Sequence, residues 1–220
     1  GFSTRLIGAL VMVHGDDKGL VLPPKIAPIQ VVIVPIPYKD VDTEQILAKA
    51  KEIYEKLHKN GIQVVLDDRT EYTPGWKFND WELKGVPIRI EIGPRDLKQG
   101  QVTLARRDTF EKTAVKEENV TDAVTKLLED IQRNLFEKAK KFLEENITTV
   151  TAYKDFKKVL KEKGGFIRAC WCGSSDCEKN VKEETGATIR IVPLEKEKIF
   201  ANCIYCGEEA KEVVYFARSY

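Results

Sequence analysis

The spacing of apolar residues predicts alternating strands and helices in the middle of the chain. Residues 29–36 form an apolar run interrupted only by Gln30, which is typical of a strand buried on both faces. Residues 43–59 place apolar side chains three and four positions apart, which predicts a helix with one buried stripe, and Asn60 and Gly61 are typical of its end. Another strand follows at 63–66, so the pattern predicts a right-handed β-α-β unit.

Further elements complete this middle region. A shorter helix is predicted over about 75–84. Residues 88–92 alternate apolar and charged side chains, which predicts a half-buried strand. Two more strands are expected at 101–106 and 110–116. The order of strands and helices indicates an α/β unit.

In the last third of the chain, which contains four clustered cysteines, the spacing of apolar residues is a weaker guide to helices and strands. Residues 119–145 repeat apolar side chains with a helical period, either as one long helix or as two in series. Another helix is expected over 151–163. The remaining predicted elements are three short strands, at 166–169, 188–192 and 213–216.

The first 28 residues contain too little apolar surface for a core of their own. Residues 6–13 are nearly all apolar and fit a strand or a helix. A polar loop follows, and then an extended connector with prolines at 23 and 24. Because the chain begins with neither Met nor a helix cap, we interpret it as a fragment or as one half of a cleaved enzyme.

Length and charge narrow the classes of partner. A chain of 220 residues predicts two domains, and its 42% apolar content is enough for ordinary cores. With 36 basic and 35 acidic residues the net charge is +1, so a nucleic acid would be held by local basic patches. No apolar run approaches the roughly 20 residues of a membrane span, and no signal peptide is recognisable, which favours a cytoplasmic protein.

Four cysteines have the spacing of a zinc site. Two close pairs, Cys172 with Cys177 and Cys203 with Cys206, can surround one tetrahedral Zn²⁺. A glycine after Cys172 and another after Cys206 would let the chain turn tightly around the ion. Four thiolates leave no open coordination position, so the predicted role is structural. Two disulfides or a buried thiol cluster are the alternatives.

A fifth cysteine leaves the ligand set open. Cys170 lies in a predicted strand and is interpreted as a small core residue. Cys170 with Cys172 would form an alternative C-x-C pair of ligands. We prefer Cys172 with Cys177, because the longer turn between them offers amide donors to both sulfurs.

Charged and aromatic residues mark two further candidate sites. The segment 73–85 mixes aromatic with charged side chains, and arginines and carboxylates follow it up to residue 96. Such groups can read the base edges of single-stranded RNA. The alternative is a solvated helix face with Trp81 in the core. Arg5, after Ser3 and Thr4, could bind a phosphate or carboxylate, or be an ordinary surface arginine.

Together these segments resemble the C-terminal part of class II prolyl-tRNA synthetases. Residues 1–9 and 14–24 resemble the motif 3 region of that family and the connector after it. Five further segments resemble the anticodon-binding domain of the same family: 67–69, 73–75, 77–78, 81–87 and 93–96. The four-cysteine region and the terminal Arg218-Ser219-Tyr220 are similar to the archaeal/eukaryote-like branch, which lacks the inserted editing domain.

The resemblance implies a fold and a domain order. The fold class is α/β, with an anticodon-binding domain whose mixed five-stranded sheet is flanked by helices. A small α+β zinc-binding C-terminal domain follows it. The expected domains are 1–28, the end of the catalytic domain, 29–131, the anticodon-binding domain, and 132–220, the zinc-binding domain.

The resemblance also implies an activity of the full enzyme, proline–tRNA ligation. That enzyme activates proline with ATP and Mg²⁺ and transfers it to tRNA-Pro. Arg5 takes the position of the motif 3 arginine on the ATP γ-phosphate, and Ser3 and Thr4 would lie beside the prolyl-adenylate. The carboxylate of Tyr220 would help to position the active site. Because motifs 1 and 2 are absent from these residues, the chain alone is expected to be inactive.

Anticodon contacts of the family map onto four residues. Glu82, Arg89, Arg95 and Asp96 would read the two guanines of the proline anticodon, with arginine at 95 where some relatives are expected to have lysine. A homodimer through the catalytic portion is implied, with neither DNA nor membrane as partner. Other hypotheses are a stand-alone RNA-binding or regulatory module and a zinc-stabilised scaffold without an RNA role.

Overall fold

The structure, a computed structural model, describes residues 1–37 and 43–219 and divides into two units, Gly1–Ala139 and Lys140–Tyr220. The division falls inside one long helix, whereas the sequence analysis places a domain boundary after residue 131. In the first unit the elements are α1 (Arg5–His14), β1 (Val31–Pro35), α2 (Thr43–Lys59), β2 (Val64–Leu66), α3 (Pro74–Leu83), β3 (Ile88–Ile92), α4 (Pro94–Gln99), β4 (Gln101–Arg106), β5 (Lys112–Lys116), a 3₁₀ turn (Glu117–Asn119) and α5 (Val120–Glu145), which continues past the division.

The first unit is built on the predicted mixed five-stranded sheet, in the order β2-β1-β3-β4-β5. β1 runs parallel to β2 and β3, and the pairs β3–β4 and β4–β5 are antiparallel. The apolar stripe of α2 and five apolar residues of α5 pack on one face of this sheet. Trp81 of α3 packs on the other face against Val32 and Val34. Burial of β1 on both faces, read from its apolar run, is confirmed.

The prediction of a half-buried β3 is wrong. All five of its residues are buried, including Arg89 at 9% exposure and Glu91 at 7%. Its three isoleucines join the core beneath α2 and α5. The charged side chains of β3 instead pair with each other and with residues of α3 and β5, which removes the cost of burying them unpaired.

Residues 6–13, which fit a strand or a helix in sequence, lie in α1, none of whose residues is buried. The connector after it lies against the end of α3: the Leu20 N–H donates to the Leu83 carbonyl at 3.0 Å, and the Leu22 N–H to that of Gly85 at 3.2 Å. Gly85 has φ +74°, and a Cβ there would come within 2.6 Å of the Leu20 Cβ. This close approach of backbones therefore requires glycine.

The second unit has its own four-stranded sheet, in the order β6-β7-β9-β8. Its core includes Phe156, Ile167 and Phe216, all fully buried. The sequence analysis did not predict β6 or α7. The elements are β6 (Ile147–Thr149), α6 (Tyr153–Glu162), β7 (Phe166–Trp171), α7 (Ser175–Thr185), β8 (Ala187–Ile191) and β9 (Glu212–Arg218).

Helices long and apolar enough to span a bilayer are not found in the described ranges.

Candidate functional site

A row of alternating charges joins the end of α3 to β3 and β5. Arg89 donates from Nη1 to Glu82 Oε1 at 2.9 Å, and from Nε and Nη2 to Glu91 Oε1 at 3.1 and 2.9 Å. Lys112 donates to Glu91 Oε2 at 2.9 Å. The Arg89 guanidinium also lies 4.1 Å from the centre of the Phe78 ring. Arg89 is therefore a buried cation, already neutralised by two carboxylates, and not an unpaired donor.

The polar loop before the connector, together with Arg107 after β4, holds Glu82 from the other side. Lys18 Nζ lies 3.7 Å from Glu82 Oε2. Arg107 donates from Nε to the Glu82 carbonyl at 2.9 Å, and its two terminal nitrogens donate to the carboxylate of Asp16 at 2.7 and 2.6 Å. The hydrogen bonds from Arg107 lower the pKa of Asp16 below its usual range. Both the backbone and the side chain of Glu82 are thus fixed at the surface end of α3.

The other two predicted anticodon residues lie on α4, directly after β3. Asp96 accepts from the Gly93 N–H at 3.0 Å and from the Thr103 hydroxyl at 3.2 Å, so its carboxylate caps α4. Arg95 is exposed and, within the described part of the chain, makes no hydrogen bond or ion pair. Among the described residues, a hydrogen bond connects Arg89 to Glu82, but neither of these two residues is bonded to the side chain of Arg95 or Asp96.

A second charge cluster, which the sequence analysis missed, lies under α3. The carboxylate of Asp67 is buried and accepts from Arg69 at 2.9 and 2.7 Å and from Trp81 Nε1 at 2.7 Å. Buried Lys77 lies 3.5 Å from the same carboxylate. Burial opposes ionisation of Asp67, but these donors outweigh it and hold its pKa far below the usual range. Trp81 lies in the core, as one sequence interpretation expects, with its ring nitrogen satisfied.

The four predicted metal ligands come together in the second unit. Their Sγ atoms all lie within 4.8 Å of one another, with Cys172–Cys177 at 3.6 Å and Cys172–Cys206 at 3.8 Å. A tetrahedron with Zn–S bonds of about 2.3 Å has sulfur–sulfur edges of about 3.8 Å. A disulfide would need about 2.05 Å, and all five cysteines are free. The residues present therefore fit a tetrahedral metal ion.

Local structure explains this convergence. Cys172 follows β7, and Cys177 lies in the first turn of α7, where the sequence analysis expected only a tight turn. The glycines at 173 and 207 have φ of +83° and +76°, as the turn argument predicts. Cys170 is buried and lies outside the cluster, in agreement with its interpretation as a core residue.

The cysteines differ in how readily they ionise. Burial opposes ionisation of Cys203, but backbone N–H groups of Cys206 and Tyr205 outweigh it and lower the pKa of the thiol to about 7. Burial raises the pKa of Cys177 well above its usual value. A bound cation would favour the thiolate at both positions, because metal binding releases the thiol protons.

The predicted nucleotide-binding residues lie at the start of the chain. Arg5 is the first residue of α1 and is exposed. Thr4 occupies the N-cap position without a side-chain cap bond, and the Ser3 carbonyl accepts from the Leu6 N–H at 3.1 Å. Among the described residues none contacts Arg5 through a hydrogen bond or an ion pair. Tyr220 lies outside the described residues.

The two units of the chain match domain families that occur in aminoacyl-tRNA synthetases. Residues 30–127 match the anticodon binding domain family, and residues 153–220 match the family described as prolyl-tRNA synthetase, C-terminal. The chain therefore belongs to the prolyl-tRNA synthetase family and corresponds to a C-terminal portion of it. Its assignment to the archaeal/eukaryote-like branch stays a prediction.

Individual relatives agree with this assignment. The chain is 53% identical over 220 residues to the proline–tRNA ligase of Alkaliphilus oremlandii and 50% identical to proline–tRNA ligase 2 of Clostridioides difficile. In both cases the match covers all of this chain but 45% of the relative, so the chain spans less than half of their length. A crystal structure of prolyl-tRNA synthetase from Cryptosporidium parvum, complexed with L-proline and AMP, superposes with a TM-score of 0.92 at 41% identity, covering 99% of this chain and 46% of that one.

Proposed function

We propose that this chain is the anticodon-binding and metal-stabilised portion of a proline–tRNA ligase, an enzyme that joins proline to tRNA-Pro with ATP and Mg²⁺. The observation that carries the proposal is the fixed Glu82–Arg89–Glu91 row on a domain of the anticodon-binding family. A preformed row of charges at the surface end of a helix suits the recognition of base edges.

The pairing within the row assigns different roles to its members. Arg89 has its donors directed to two carboxylates, so it orients Glu82 and screens its charge. The Glu82 carboxylate then accepts hydrogen bonds from guanine N1 and N2. Arg95 is the exposed guanidinium, with a fork that matches guanine O6 and N7. Asp96 contributes as the cap that fixes α4, and hence the backbone that carries Arg95.

The four cysteines would hold one Zn²⁺. Zn²⁺ bound there would offset part of the charge of the four thiolates, and the four sulfurs would fill all of its coordination positions. The protein groups do the rest. β7 positions Cys172, α7 positions Cys177, and the loop before β9 is tied to both through Cys203 and Cys206. The consequence is a fold-stabilising site without an open position for catalysis.

The start and end of the chain would serve the active site of the whole ligase. Arg5 would bind the ATP γ-phosphate, with Ser3 and Thr4 beside the prolyl-adenylate, and the Tyr220 carboxylate would help to position the reactants. A guanidinium at that position suits the charge that develops on the leaving pyrophosphate. We expect the ligase to be a cytoplasmic homodimer that contacts neither DNA nor a membrane. The chain alone should not catalyse proline-dependent pyrophosphate exchange, and robust exchange would contradict this.

Binding of RNA hairpins tests the reading of the anticodon. The 220-residue chain is titrated at fixed salt with a hairpin carrying the proline anticodon and with versions in which either guanine is replaced by adenine. Arg95→Ala should cost about 1–3 kcal/mol with the first hairpin and reduce the preference for guanine. Glu82→Gln should do the same at the base that it contacts.

The matched control is Arg133→Ala, which removes an exposed arginine of α5 that pairs with Asp130. It should leave the affinity for every hairpin nearly unchanged. Base reading is contradicted if Arg95→Ala and Glu82→Gln weaken all hairpins equally, and the whole proposal is contradicted if the unmodified chain shows no preference for the proline anticodon.

A further inference from the structure

Phe110 has a backbone conformation that is unusual for its side chain. Among the residues that the structure describes, it is the one non-glycine residue with positive φ, at +61°. It lies in the turn between β4 and β5, which the hydrogen bond from the Arg106 N–H to the Glu111 carbonyl closes at 3.0 Å. Glycine or asparagine normally occupies such a position, because a bulky side chain is strained there.

Packing does not account for a phenylalanine at this position. The side chain is 42% exposed and belongs to neither the core under α2 nor the core under α3. Its close neighbours are cations: Lys18 Nζ lies 4.5 Å from the ring centre, and the Arg107 guanidinium 5.2 Å. A strained, partly exposed ring points to a function for the ring itself.

The surroundings of the ring indicate what that function is. The Lys18 ammonium that lies over Phe110 is also 3.7 Å from Glu82 Oε2, and Arg107 holds the Glu82 carbonyl. The ring is therefore next to the residue that we assign to guanine recognition. The Lys18 side chain is 59% exposed, so a phosphate can reach its ammonium group from solvent. An exposed aromatic ring beside such a cation is the combination that binds single-stranded nucleic acid.

We propose that Phe110 is a stacking platform for an unpaired base of the RNA bound at Glu82, with Lys18 contacting an adjacent phosphate. This proposal rests on the proposed anticodon-binding function and extends it to the polar loop that carries Lys18 and to the β4–β5 turn. Because every base has a π face, the platform adds affinity with little base preference, in contrast to Glu82 and Arg95.

Replacement of Phe110 by glycine separates this role from a structural one. Phe110→Gly relieves the positive φ, so the free energy of unfolding in urea should stay unchanged or rise. The same variant should weaken binding of the proline-anticodon hairpin roughly 5- to 100-fold, equally for the guanine and adenine versions. Phe110→Trp, which keeps an aromatic face, should bind about as tightly as the unmodified chain. Phe110→Leu, which keeps apolar volume without a ring, should resemble the glycine variant.

The control is Phe136→Ala, which removes an exposed phenylalanine of α5, 61% accessible. It should leave hairpin affinity unchanged. A direct readout is the fluorescence of Phe110→Trp, in which the hairpin should quench emission beyond the quenching of the three native tryptophans. This measurement decides the matter even if the glycine variant is unstable.

The possible failures are distinguishable. If Phe110→Gly or Phe110→Leu binds the hairpin normally while Arg95→Ala loses affinity, or if Phe110→Trp shows no added quenching, the platform is overturned and anticodon binding stands. If the unmodified chain does not bind the hairpin, the proposed function is overturned and the platform with it.

Discussion

The candidate sites of the two units differ in how their charged groups are balanced. In the first unit, Glu82, Arg89 and Glu91 place unlike charges within hydrogen-bond distance, so the protein itself supplies each partner. In the second unit, four groups of one kind, the cysteine sulfurs, converge within 4.8 Å. The first arrangement is complete without a ligand, whereas the second has donor atoms directed at one point and needs a cation there to favour the thiolates.

The cores of the two units also differ in how far each can order its unit without a ligand. The first unit has a sheet covered on both faces, with β1 wholly buried between α2, α5 and α3. In the second unit, residues 192–211 contain neither helix nor strand and carry two of the four cysteines. Small domains bury too little apolar surface to order such segments easily, and metals often compensate. We therefore expect the apolar core of the first unit to be sufficient for its folding, whereas folding of the second unit should depend on metal binding at its four cysteines.

Removal of metal is the largest test of this contrast. A strong chelator should unfold or loosen the second unit, because an ion bound by the four cysteines would link β7, α7 and the loop before β9. Hydrogen exchange with mass spectrometry should show loss of protection in α7 and over residues 192–211, with protection in β1 and β3 unchanged. Cys170→Ala serves as the control and should keep one metal per chain. Unchanged exchange in chelator-treated, metal-free protein would break the comparison.

Asp67 tests how far the first unit depends on internal pairing. Asp67→Ala leaves buried Lys77 without its carboxylate and removes the acceptor of Trp81 Nε1. We expect a loss of about 3 kcal/mol in the free energy of unfolding, measured by urea titration, because an unpaired buried charge remains. Asp68→Ala, at the exposed neighbouring position, should change stability by less than about 0.5 kcal/mol. Equal effects of the two substitutions would mean that the buried pair does not stabilise this unit.

The dependence of stability on pH tests the same carboxylate, that of Asp67. The hydrogen bonds that lower the pKa of Asp67 stabilise the folded state while the carboxylate is charged in it. This contribution is complete above the ordinary aspartate pKa of about 3.9 and is lost as the pH falls below it towards the folded-state value. Stability of the first unit should therefore decrease below about pH 4. Asp67→Asn should flatten that slope in urea titrations at several pH values, and an unaltered slope would assign the loss to other carboxylates.

Local pattern predicts every strand except β6, most helices and the cysteine site, because these depend on residues close in sequence. The buried run at β1 and the spacing of the cysteine pairs are such signals. Burial of the charged face of β3 has no such local signal, because charged residues that alternate with apolar ones normally face solvent. In the structure Glu82 and Lys112 pair with these charged side chains. The pairing of Asp16 with Arg107 spans 91 positions and leaves no periodic trace.

Helix α7 was missed for a different reason, because its start and end signals are present in the sequence. Ser174 caps it through the Asp176 N–H, and Gly186 ends it with φ +73°. Only Cys177 and Val181 of this helix are buried, which is too few for a recognisable apolar stripe. The cap signals could have identified it, and they also identify the smallest test of the contrast between the units.

Two helix caps of similar geometry allow that test. Thr73 accepts from the Trp76 N–H at 3.3 Å at the start of α3, and Ser174 accepts from the Asp176 N–H at 3.3 Å at the start of α7. Replacing either by alanine should cost about 1 kcal/mol. For Thr73→Ala the loss should appear in the urea unfolding of the first unit, with metal affinity unchanged.

For Ser174→Ala the same loss should appear as weaker metal binding, by roughly fivefold in competition with a chelator, because Cys177 lies in the turn that Ser174 caps and ordering of that turn accompanies coordination. If metal affinity is unaffected in Ser174→Ala, the first turn of α7 is already ordered by the core of the second unit. The dependence of that unit on its metal would then be confined to the loop that carries Cys203 and Cys206.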